Sequence, residues 1–77
     1  LARTMAMAQL AQMELVNLPW SYEEVDWPGL DLAVLARNQR DGIWQMAAVV
    51  KGSRVAVFRY AGRENLADHL DVLASVV

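Results

Sequence analysis

Residues 43–60 read Ile-Trp-Gln-Met-Ala-Ala-Val-Val, then Lys-Gly-Ser-Arg, then Val-Ala-Val-Phe-Arg-Tyr. Two β-favouring runs flank Gly52-Ser53, and that pair supplies the positive φ that a two-residue hairpin turn needs, so an antiparallel hairpin is predicted. Pairing Lys51 with Arg54 puts Trp44, Met46, Ala48 and Val50 on one face beside Val55, Val57 and Arg59. Ile43, Gln45, Ala47 and Val49 then share the other face with Ala56, Phe58 and Tyr60. Both faces are mostly apolar, whereas a hairpin with one wet side alternates apolar and polar residues. Each face of this sheet therefore needs a cover.

The helical periodicities lie at the two ends of the chain. Residues 1–16 are dense in Ala, Met, Leu and Gln and contain neither Gly nor Pro. On a helix Arg3, Leu10 and Glu14 fall close together, and apolar residues take nearly all the rest of the circumference except Gln9 and Gln12. Residues 63–77 carry Leu66, Leu70, Leu73, Ala74 and Val77 as one stripe, with Glu64, Asp68 and Asp71 turned away from it. Leu70, near the middle of the stripe, is expected in the core, and Asp71 is expected to be dispensable.

Between the first helix and the hairpin the pattern is shorter. Ser21 and Glu24 have the spacing of a capping box, and Trp20 and Val25 stand where a hydrophobic staple places them, so a short helical turn is predicted there. Pro28-Gly29 stops it. Residues 30–37 mix helix-favouring Leu, Ala and Arg, but the run is brief and leads through a turn at Asp41-Gly42 into the hairpin, so it is read as a third strand. That turn would set Val34 beside Val49 and Ala56, and Arg37 beside Met46 and Arg59. The expected fold is α+β in one domain over residues 1–77: N-terminal helix, short helical turn, three-stranded antiparallel meander, and C-terminal helix packed on the sheet. Leu1 stands where a natural chain has Met, so the natural start is expected upstream.

Composition sharpens one point. Of 77 residues 56% are hydrophobic, above the usual share of about 45–50%, in a chain short enough that a lone core is marginal. The surplus points to self-association or a protein partner. A net charge of −2 gives no general attraction to polyanions. The absence of Cys fits a cytoplasmic protein, and no apolar run reaches the roughly 20 residues of a membrane span.

The candidate chemistry is thin. His69 is the only histidine; Asp68 and Asp71 share its helix but not its direction, so a Ser-His-Asp site is not expected, and an exposed helical histidine is. No ligand spacing for a metal and no phosphate-binding glycine loop occurs, so no catalytic residue and no cofactor is assigned. Arg37, Arg54, Arg59 and Arg63, near Trp44 and Tyr60, are the candidates for a nucleic-acid surface. The order helix, three strands, helix resembles double-stranded-RNA-binding domains. Those carry lysines where this chain has Arg63-Glu64-Asn65, so no family is claimed.

Met5, Met7, Met13, Trp20, Trp27, Trp44 and Met46 are the candidates for protein binding. The methionines are adaptable contacts on the N-terminal helix and the sheet, and the tryptophans are aromatic anchors, two of them beside Glu23, Glu24, Asp26 and Asp31. The leading expectation is a non-enzymatic protein-interaction module, an adaptor, inhibitor or small subunit, acting as a homodimer. Nucleic-acid binding through the arginines is the alternative.

Overall fold

The computed structural model describes residues 1–13, 20–40, 44–59 and 66–77. Helix α1 spans Ala2–Met13. Strands β1 (Trp20–Val25), β2 (Leu32–Asn38), β3 (Trp44–Lys51) and β4 (Arg54–Arg59) follow, and α2 spans Leu66–Val76. The strands form one antiparallel sheet in the order β1-β2-β3-β4. The α+β class and the two terminal helices agree with the sequence reading. The meander has four strands rather than three.

The added strand is β1, where a short helical turn was expected. Ser21 and Glu24 have the spacing of a cap, but only a few residues separate them from Pro28, too few for a helix to repay its nucleation. Trp20, Tyr22 and Val25 are β-favouring, and they lie along an edge of β2 that otherwise has no partner. Val25 pairs with Ala33 and Trp20 with Asn38, so β1 runs along all of its neighbour except Leu32.

β2 overrides its own helical propensity because it is central and covered on both sides: Ala33, Val34, Leu35 and Ala36 are all buried. Its register with β3 differs from the sequence reading by two residues at Arg37 and by one from Ala36 to Leu32. Val34 pairs with Ala48, not Val49, and Arg37 pairs with Trp44, not Met46. A bulge between Ala36 and Arg37 leaves Gln45 as an extra residue on β3. A one-residue slip exchanges the faces of a strand, so Val34 joins Ala48 and Val57 instead of Val49 and Ala56. The expected Asp41-Gly42 turn lies outside the described residues. Asn38 opens the connection, its side-chain oxygen accepting the Arg40 backbone N–H at 2.8 Å.

The β3–β4 hairpin has the expected register, Lys51 opposite Arg54. Gly52 has φ 61°, and no non-glycine residue has positive φ among the described residues. A single positive φ at the first turn position is a type II′ turn, which suits the twist of the strands.

Each sheet face carries a helix. Ala6 and Leu10 of α1 close over Val34, Ala36, Met46, Ala48 and Val50, with Val55 and Val57 at the margin. Leu70 of α2 closes over Ala33 and Val49, with Ala56, Trp27, Leu30, Leu66 and Leu73 around it. Alanines at the sheet centre let the helices approach closely. The turn before β2 fits beneath α2: Leu30 N–H reaches Trp27 C=O at 3.1 Å, and Gly29, at φ 87°, would bring a Cβ to 3.6 Å from Ala74 Cβ.

Candidate functional site

The protein-binding candidates fall into separate groups. Met46 is completely buried beneath α1 and has no surface to offer a partner in this fold. Met5, Met7 and Met13 are half-buried against the same core, so α1 spends its methionines on its own sheet. Its outer side presents Thr4, Ala8, Ala11 and Gln12, which are exposed. Trp20 and Trp27 stand on opposite faces of the sheet: Trp20 packs with the α1-side core and Trp27 with the α2-side core. The side chain of Trp44 lies outside the described residues, and its backbone belongs to β3. The seven candidates thus form no single surface.

The arginines are not gathered either. Arg54 and Arg59 occupy the two ends of β4, about 16 Å apart at roughly 3.3 Å per residue. Strand alternation puts them on opposite faces, Arg59 on the α1 side and Arg54 on the α2 side. Arg37 is exposed on β2, and Arg63 lies outside the described residues.

Two of these arginines have a structural role that sequence spacing does not reveal. Neither helix has a basic residue in its last turn, where unpaired carbonyls concentrate partial negative charge. The β3–β4 hairpin supplies the cations instead. Arg59 donates to the carbonyl of Met13, the last residue of α1. Lys51 Nζ lies 3.4 Å from the Ala74 carbonyl oxygen and Arg54 Nη1 lies 3.4 Å from that of Val77, both at the end of α2. The signal was present in the sequence as two helices without a C-terminal cation, but only the fold shows which residues provide it.

Among the described residues, no group of three or more His, Cys, Asp or Glu could hold a metal ion, and no cavity opens. His69 is half-buried rather than fully exposed, its ring centroid 5.5 Å from that of Phe58. Among the described residues no helix is long and apolar enough to cross a membrane.

What remains at the surface is the outer edge of β4 and the outer side of α2. Among the described residues nothing pairs with β4 beyond β3. Val55, Ala56, Val57 and Phe58 along it are only half-buried. On α2, Val72 and Val76 are 61% and 68% exposed, one turn apart. The opposite edge, β1, carries the exposed carboxylates Glu23 and Glu24 beside Tyr22. Glu24 receives Arg3 from α1 at 3.0 Å, a pair exposed enough to add little stability.

Comparison with protein-family models, curated proteins and solved structures found no match to this chain.

Proposed function

We propose that this domain is a non-enzymatic protein-interaction module, an adaptor, inhibitor or small subunit, that acts as a homodimer. One observation carries the reading. Both faces of the sheet are closed by the chain's own helices, yet four successive half-buried apolar residues, Val55, Ala56, Val57 and Phe58, line an edge strand with no outer neighbour among the described residues. An open edge of that character is a template for another chain. The same reading places the protein in the cytoplasm, where a chain without Cys forgoes no disulfide, and fractionation of native cells checks that placement. Sedimentation equilibrium at micromolar concentration tests the dimer. The expected mass is twice 8.6 kDa, and a mass near 8.6 kDa overturns it.

A further inference from the structure

The hairpin geometry determines which backbone groups of β4 point away from the sheet. Across a two-residue turn Lys51 and Arg54 exchange both ladder bonds, and the antiparallel alternation then assigns Ala56 and Phe58 to β3 as well. The N–H and C=O groups of Val55, Val57 and Arg59 consequently face outward. On this strand the charges stand only at the ends, Arg54 and Arg59, with apolar residues between. β1 differs, because Glu23 and Glu24 sit within the strand, where charge guards an edge against pairing.

Resting on the homodimer reading above, we propose that β4 pairs antiparallel with β4 of a second copy about a two-fold axis at Val57, so that the two four-stranded sheets run on as one. In this register Val57 stands opposite the partner's Val57, Val55 opposite the partner's Arg59, and Ala56 opposite the partner's Phe58. Val55, Val57 and Arg59 each give and receive a backbone hydrogen bond. No like charges stand directly opposite each other.

The axis is perpendicular to the sheet, so the α1 layer of one copy continues into the α1 layer of the other, and the α2 layers do the same. Each copy buries the same strip, which makes the contact isologous and closed. The strand is thus complementary to itself, and this selects a second copy as the occupant.

The chain has no Cys, so Val57→Cys introduces a single thiol. Opposed residues of a hydrogen-bonded antiparallel pair have Cα atoms about 5.5 Å apart, within disulfide range. Val57→Cys is therefore expected to oxidise to a covalent dimer, while Val55→Cys, opposite Arg59 in this register, stays largely monomeric on a non-reducing gel. Val55→Pro provides the second arm. Its lost N–H faces outward, so the β3 ladder survives, and the mass should fall from dimer to monomer with the circular dichroism retained.

If the unaltered chain is a dimer but Val57→Cys does not cross-link, the β4 pairing is wrong while the homodimer reading stands. A folded Val55→Pro variant that remains dimeric likewise overturns the β4 pairing and leaves the homodimer reading intact. If the unaltered chain is a monomer, both fail. Masses that grow beyond two copies indicate head-to-tail pairing of β4 with β1 and overturn the two-fold arrangement. Should Val55→Pro unfold, the cross-linking contrast between positions 57 and 55 decides.

Discussion

Trp27 donates its indole N–H to the Asp71 carboxylate at 2.9 Å, joining the turn before β2 to α2 across 44 residues of sequence. Asp71 faces away from the apolar stripe of its helix, so nothing in the residue pattern marks it for a role. In the fold it holds the ring that closes the α2-side core.

Trp20 and Trp27 should therefore respond differently to the same change. Trp27→Phe, or Asp71→Ala, loses a charge-assisted hydrogen bond and should cost about 1 kcal/mol. The Trp20 indole nitrogen is buried with no hydrogen-bond partner among the described residues. Trp20→Phe removes an unsatisfied donor, a gain of about 1–3 kcal/mol that offsets the lost ring area. Its stability should stay within about 1 kcal/mol of the parent in urea unfolding. A larger loss for Trp20→Phe than for Trp27→Phe would contradict these environments.

Leu70 is 1% exposed and is the only fully buried residue of α2 among those described. Leu70→Ala should cost about 2–5 kcal/mol, since a cavity opens where Ala33 and Val49 meet the helix. For a domain whose whole stability is on the order of 5 kcal/mol, such a variant sits near its unfolding threshold at about 25 °C. A midpoint in urea unchanged from the parent would mean that α2 does not rest on the sheet through this residue.

The terminal helices and the β3–β4 hairpin were legible because each has its own period and its own stop signal. Gly52 fixed a register that the strands then followed. β1 was illegible for a physical reason: Ser21, Glu24, Trp20 and Val25 satisfy a helix-capping pattern and a strand pattern alike, and only the vacant edge of β2 decides between them. The β2 register was missed on the turn side of the bulge, where it is already two residues off at Arg37, because β2 is buried on both faces and has no apolar–polar alternation to pin it. The extra residue at the bulge narrows the difference to one. Among the site candidates, Met46 looked available because hydrophobicity does not say which apolar residue ends up beneath a helix. The arginines looked like a cluster because sequence proximity does not distinguish the two faces of a strand.

Ala48 is completely buried between β2 and β4, in the core that α1 closes. Ala48→Leu forces extra methylenes between helix and sheet and should destabilise the fold by about 1–3 kcal/mol. Ala8→Leu on the exposed side of α1 is the matched control, expected within about 0.5 kcal/mol of the parent. Equal effects at the two positions, compared by thermal and urea unfolding, would mean that α1 presents a different side to the sheet.

Arg59 links β4 to the end of α1 by donating to the Met13 carbonyl, and α1 has no basic residue of its own in its last turn. The last carbonyls of a helix lack intrahelical partners, so a cation there satisfies one of them and opposes the helix dipole. Arg59→Ala should cost about 0.5–1.5 kcal/mol. The loss should be local, read as faster amide exchange at Ala11, Gln12 and Met13 while the β3 amides stay protected. Arg59→Lys, which keeps the charge on a flexible stem, should recover part of the protection. The same residue separates this structural role from nucleic-acid binding. Replacing Arg37 and Arg59 together should leave mobility-shift behaviour unchanged across salt concentrations. A steep, salt-sensitive retention that vanishes in the double variant, with circular dichroism intact, would restore the arginines as phosphate contacts.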